Sequence, residues 1–125
     1  MANKKAQISY SRGHESEKIA AYFLTNKGYR LIQKNFRIPG GEIDLIMQKD
    51  GILTFVEVKS RAQSHFGTAL ESITRQKKRL LLRAAATYLI KNKVQIPWQI
   101  HVVTIQYQPG NKAHITHYKN IFTCE

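Results

Sequence analysis

Acidic residues, cysteine and long apolar runs are all scarce in this chain. Eight Asp and Glu stand against 20 Lys and Arg in 125 residues, a formal charge of +12. A surface this basic attracts phosphate and releases counterions on binding, which points to a polyanionic partner, nucleic acid first. The bland alternative is that the charge only serves solubility. Its distribution argues otherwise, because no acid lies between Glu71 and Glu125 while Arg75, Lys77, Lys78, Arg79, Arg83 and four further lysines do. The one cysteine, Cys124, forms no internal disulfide, which fits a reducing compartment. The longest leucine run, Leu80-Leu81-Leu82, ends at Arg83, far short of the ~18 apolar residues of a membrane helix. Met1 to Ser16 is polar and basic and lacks the apolar stretch of a signal peptide. The expectation is a cytoplasmic protein with no membrane association.

Repeats, low-complexity tracts and linkers are also missing, so the chain reads as a basic mobile arm over residues 1–12 and a single domain over 13–125. Helical spacing of Ile19, Ala20, Phe23 and Leu24 predicts a helix over 13–27, stopped by Gly28. A strand follows over 29–36, and Ile38-Pro39-Gly40-Gly41 reads as a loop. Strands over 42–48 and 52–59 flank Asp50-Gly51, a preferred pair for a two-residue type I′ turn. A second helix over 74–91 carries Lys77, Leu80, Leu81, Ala84 and Tyr88 on one face and Arg75, Lys78, Arg79 and Arg83 on the other. Strands over 98–107 and 113–122 join through Pro109-Gly110-Asn111. The order α-β-β-β-α-β-β, with strands apolar on both faces, predicts an α/β sandwich around a mixed sheet.

Four of the eight acids lie between Glu42 and Glu57. With Asp50-Gly51 as the turn, Leu45 opposes Val56, Ile46 opposes Phe55, Asp44 opposes Glu57 and Glu42 opposes Lys59. Ile43, Leu45, Met47, Val56 and Val58 then share the other face. Two carboxylates directly across a strand pair destabilise it unless a cation sits between them, and Cβ atoms there lie ~4.5–5.5 Å apart. That spacing suits one hard divalent ion, Mg²⁺ or Mn²⁺, held by Asp44 and Glu57 with its remaining positions open to water and phosphate oxygens. Lys59 points to the same side, where its ammonium orients a water nucleophile or offsets developing charge. Glu17 falls on the apolar face of the first helix, where an acid needs a partner such as the metal or Lys59; as a first-turn acid it also suits the helix dipole alone. The structural alternative is a Glu42–Lys59 ion pair with Asp44 and Glu57 solvated.

Gly13-x-x-x-Glu17-x-x-Ala20, Gly28-Tyr29, Asn35-x-Arg37, Gly41-Glu42-Ile43-Asp44-Leu45-Ile46 and Phe55-Val56-Glu57-Val58-Lys59-x-Arg61 resemble the YraN-type family of small bacterial proteins. The likeness extends to about Leu89 and, more loosely, to Phe122. That family is similar to PD-(D/E)xK nucleases and to archaeal-type Holliday junction resolvases. The resemblance implies a restriction-endonuclease-like fold, Asp44, Glu57 and Lys59 as a catalytic set, and Glu17 as the helix acid. It also implies branched DNA as substrate and a homodimer, since two strands are cut symmetrically. Two positions depart from the pattern. Ile43 replaces the proline of the motif name, and Gln99-Ile100-His101-Val102 stands where relatives commonly read Arg-Phe-Asp-Val.

The remaining features carry less. His114 and His117, at i and i+3 on a strand, face opposite ways and exclude a shared zinc. The histidines His14, His65 and His101 make no metal-site spacing with Cys124. The aromatics Tyr29, Phe36, Phe66, Trp98 and Tyr107 read as core. Two functions follow as expectations. The first is a metal-dependent DNA endonuclease whose backbone contacts come from Arg61, Arg75, Lys77, Lys78, Arg79 and Arg83. The second is a non-catalytic nucleic-acid-binding module that keeps the fold.

Overall fold

The computed structural model describes residues 3–9 as backbone, 16–61 and 73–120. Its elements are β1 (Asn3–Ser9), α1 (Ser16–Asn26), β2 (Arg30–Ile38), β3 (Gly41–Lys49), β4 (Ile52–Arg61), α2 (Arg75–Lys91), β5 (Trp98–Gln108) and β6 (Lys112–Tyr118). The strands form one sheet in the order β1-β6-β5-β4-β3-β2. All neighbours are antiparallel except β4 and β5, which run parallel through the α2 crossover. The result is the expected α/β sandwich of restriction-endonuclease-like order, with a strand added in front.

Over residues 3–9 that added strand corrects the reading of residues 1–12 as a mobile arm, while 1–2 and 10–12 lie outside the described residues. Asn3–Ser9 pairs along the whole of β6, from Asn3 opposite Tyr118 to Ser9 opposite Lys112. The reason is not in the local sequence, where Asn-Lys-Lys-Ala-Gln-Ile-Ser has weak strand propensity. Without β1, β6 would present an open ladder of backbone donors and acceptors. Residues 13–15 of the first predicted helix and 121–122 of the last predicted strand lie outside the described residues, as do Phe66, His14, His65 and Cys124.

Helix boundaries follow local chemistry. Thr74 caps α2, its hydroxyl accepting the Lys77 N–H at 3.1 Å. After α1, Gly28 adopts φ 96, and the Tyr29 N–H bonds back to the Leu24 carbonyl at 3.1 Å. Ile38-Pro39-Gly40-Gly41 is tighter than the expected loop. Ile38 pairs with Gly41 across a two-residue Pro39-Gly40 turn, and Gly40 takes φ 81. The Arg83 guanidinium holds that turn by donating to the Pro39 carbonyl at 2.8 Å.

The Asp50-Gly51 hairpin forms as predicted, with φ 53 and 75 and with Leu45 opposite Val56 and Ile46 opposite Phe55. An added methyl at Gly51 would meet no atom within 4 Å. The cost of Gly51→Ala is therefore conformational, about 1–2 kcal/mol for an L-residue at positive φ. It is expected as a lower urea midpoint with an unchanged m-value.

The strands β3 to β6 are buried on both faces. Toward α1 lie Leu45, Met47, Val56, Val103, Ile105 and Ile115, against Ile19, Ala20, Phe23 and Leu24. Toward α2 lie Ile43, Ile46, Leu53, Phe55 and Ile100, against Ala84, Ala85 and Tyr88. Tyr88 meets Phe36 and Phe55 edge-on, with ring centroids 5.2 and 5.7 Å away. Ile43 belongs to this second core and not, as alternation predicts, with Leu45. Two residues apart in one strand yet in opposite cores, they mark a break in alternation at Asp44. In β2, Asn35, between Lys34 (opposite Leu45) and Phe36 (opposite Ile43), has φ 53, outside strand geometry.

Candidate active site

Regular pairing of β3 with β4 runs from the turn to Leu45–Val56 and stops there. Beyond it, Asp44 Oδ2 accepts the Val58 N–H at 2.8 Å, so a side chain takes a donor of the ladder. β4 continues beside β5, with Glu57 opposite Val102 and Lys59 opposite Thr104. The splayed ends of β3 and β4 thus leave room between them, and carboxylates fill it.

Glu57 is only 2% exposed. Lys77 reaches it from α2, with Nζ 3.3 Å from Oε2. The other oxygen, Oε1, is buried with no hydrogen-bond partner among the described residues. A buried carboxylate oxygen left so is costly, and it is the feature that a cation, or a proton held by the neighbouring Asp44, would satisfy. Asp44 lies close enough to feel Glu57 strongly. Burial, then the charge and contact of Glu57, then the charge of Glu42, push the Asp44 carboxyl up to about 7 against the opposing Val58 N–H. The Asp44 and Glu57 carboxyls thus repel one another at the strand ends. Lys59, two residues beyond Glu57 and on the same face by strand alternation, is half-buried.

Glu42 departs from its expected place opposite Lys59. It pairs across β2 with Arg37, Oε1 lying 3.4 Å from the guanidinium. The Asn35 amide, with its nitrogen turned to the acids, donates to Glu42 and to Glu17 at 3.0 Å each. A neutral amide thus spans two carboxylates and ties the first turn of α1 to β3. Sequence reasoning did not give Asn35 this role. Its signal was a turn-type residue inside a strand, a position Asn tolerates because it accepts positive φ.

Lys77 is likewise reassigned. It was placed among the bases contacting nucleic acid, yet its ammonium is engaged with Glu57. The hint was its position on the apolar face of α2. Arg75, Lys78 and Arg79 are exposed, Arg83 is exposed but anchors the Pro39 turn, and Arg61 is half-exposed at the end of β4.

His101 is 2% exposed and lies across the sheet from Glu57, with its ring edge-on to Tyr29. It is hydrogen-bonded to His117 at 2.9 Å, a pairing the strand spacing of the histidines did not reveal because it joins the neighbouring strands β5 and β6 diagonally.

Among the described residues no group of three or more His, Cys, Asp or Glu side chains is gathered to hold a metal. Two carboxylates still fit Mg²⁺ or Mn²⁺, which keep several waters and use one or two protein carboxylates together with phosphate oxygens. The unpartnered Glu57 Oε1 and the mutually repelled Asp44 match that requirement. No described helix is long and apolar enough to cross a membrane.

Comparison with known proteins agrees with these motifs. The profile of the uncharacterised protein family UPF0102 matches residues 16–105. A UPF0102 protein of Symbiobacterium thermophilum is 40% identical over 111 residues, 88% of this chain and 94% of that one. One from Thermus thermophilus is 44% identical over 98 residues, covering 78% and 86%. One from Legionella pneumophila is 37% identical over 117 residues, covering 92% and 97%. The chain belongs to the UPF0102, or YraN-type, family.

Proposed function

We propose that this protein is a metal-dependent endonuclease that hydrolyses DNA phosphodiester bonds in the cytoplasm, with branched DNA as its preferred substrate. The observation that carries this reading is the buried Glu57 carboxylate beside half-buried Asp44 at the splayed strand ends, with one Glu57 oxygen lacking a hydrogen-bond donor among the described residues. Asp44 and Glu57 would hold Mg²⁺ or Mn²⁺. A bound divalent ion supplies charge neutralisation at phosphorus and a more acidic water. Lys59 orients the attacking water, whose oxygen bonds to phosphorus as the bond to the leaving ester oxygen breaks and that oxygen takes a proton. Asn35 and Glu17 position the rim of the site through Glu42. The test is cleavage of linear, flapped and four-way DNA with Mg²⁺ or Mn²⁺, set beside metal-free controls. A homodimer is part of the proposal, checked by molecular mass in solution with and without a four-way junction.

One observation favours the alternative of a binding module without catalysis. Lys77 already neutralises part of the Glu57 charge without any metal. If no substrate in the panel is cut and Mn²⁺ does not bind, that reading replaces the first.

Both readings use the exposed bases of α2. Each Lys or Arg that neutralises a phosphate contributes about −0.9 to the log–log slope of affinity against salt on duplex DNA. Replacing Arg75, Lys78 and Arg79 together by Gln is expected to flatten the slope by up to about 3 units and to weaken binding equally across sequences. An unchanged slope would make this only a solvated helix face.

A further inference from the structure

Toward the opposite end of β4, on the face away from Glu57, a pocket of about 170 Å³ opens beside the Asp50-Gly51 turn. Its back wall is the end of a hydrogen-bonded chain that crosses the core. Lys27 Nζ lies 2.7 Å from His117 Nδ1, His117 Nε2 lies 2.9 Å from His101 Nδ1, and His101 Nε2 lies 2.9 Å from Gln99 Oε1.

The direction of this chain is determined at Lys27. An ammonium only donates, so His117 Nδ1 accepts and its Nε2 carries the hydrogen. His101 Nδ1 then accepts from His117, and His101 Nε2 donates to the Gln99 carbonyl oxygen. Both rings are neutral in this arrangement. Burial, with the charges of Lys119 and Lys27, holds the His101 pKa down to about 4, which keeps that form. The consequence falls on Gln99. Its oxygen is committed inward, so its NH₂ group is the end left to face the pocket.

The rest of the lining is mostly donor and cationic. The Lys49 ammonium lies over the Tyr29 ring, 5.0 Å from its centroid, and Lys119 also lines the pocket. Thr54 and Tyr29, both buried, complete the polar part of the lining. Asp50 is the one carboxylate in the lining, against the two lysines. The volume equals about five or six waters, enough for one tetrahedral oxyanion with part of its hydration.

We propose that this pocket is a phosphate-binding site, separate from the carboxylate cluster, in which the Gln99 amide and the Lys49 and Lys119 ammonium groups receive the phosphate oxygens. The phosphate belongs either to a free monoester or to a nucleic-acid strand. Neither the family assignment nor the nuclease reading requires such a site.

The experiment follows the Gln99 side-chain amide signals of the full chain by NMR. Orthophosphate is titrated in one arm, against chloride at constant ionic strength. A short duplex with and without a 5′-phosphate is titrated in the other. Saturation by orthophosphate assigns a free monoester; saturation by DNA alone assigns the strand. Lys49→Gln and Lys119→Gln are each expected to weaken binding about 10-fold, the loss of one charge-assisted hydrogen bond. Asp50→Asn removes the opposing charge, keeps a residue that tolerates the turn, and is expected to tighten binding. No saturating shift with either ligand overturns the proposal. So does binding that none of the three charge changes alters, in variants whose spectra show the native fold.

Discussion

Glu57→Gln and Asp44→Asn are each expected to cut metal-dependent nicking by at least about 100-fold, the upper range for losing even an outer partner of a metal ligand. The two substitutions keep size and, for Asp44→Asn, the acceptor that holds the Val58 N–H. The loss therefore reports charge and ligation, not collapse of the strand ends. DNA binding is expected to persist and to strengthen, since one negative charge leaves the surface that meets phosphate. Lys59→Met separates roles further. It is expected to lose nicking while retaining Mn²⁺ binding, because an ammonium is not a ligand. The measurement pairs calorimetric Mn²⁺ titration with a nicking assay on the preferred substrate. Variants of Asp44 and Glu57 that nick as well as the parent would place any activity elsewhere or in a contaminant.

In metal-free protein, Asp44→Asn is expected to stabilise the fold at pH 8 by on the order of 4 kcal/mol and to have little effect below pH 4. The native Asp44 carboxyl titrates at about 7, against an ordinary 3.8. Between those values the native chain holds a proton that the unfolded chain has lost, so this group's contribution to stability falls as pH rises. His101 works the other way. Its pKa is lowered from 6.5 to about 4, so in that interval the unfolded chain binds the extra proton and stability falls as pH drops. In the parent protein the two slopes oppose each other across most of the same window. Removing Asp44 exposes the His101 slope, and Asp44→Asn is expected to lose on the order of 3 kcal/mol between pH 6.5 and 4 while the parent changes little from these two groups. Urea unfolding at pH 4, 5, 6.5 and 8 in chelator checks this. Parallel curves for parent and variant would mean that Asp44 is not held against its charge. Mn²⁺ added at pH 8 is expected to stabilise the parent more than Asp44→Asn, since binding to the native state alone raises stability.

What the sequence by itself determined is local or set by short-range pairing. The two helices follow from 3.6-residue spacing, a stop at Gly28 and a start at Thr74, and Asp50-Gly51 sets a hairpin whose register brings Leu45 opposite Val56. Counting along that register brings Asp44 near Glu57, but the pairing ends at Leu45–Val56, and Asp44 instead takes the Val58 N–H where the strands part. The tertiary structure decided everything that depends on which strands become neighbours. Residues 3–9 become a strand only because β6 offers an open edge far along the chain. Glu42 turns to Arg37, not to Lys59, because β3 leaves β4 at Asp44 and stays with β2. Lys77 meets Glu57 because α2 crosses the sheet between two parallel strands. His101 and His117 join because β5 and β6 are adjacent, and Lys27 completes their chain from the end of α1. No residue's own propensity encodes these contacts: a buried polar group takes whatever partner the packing brings within hydrogen-bond distance, and that partner is chosen by topology.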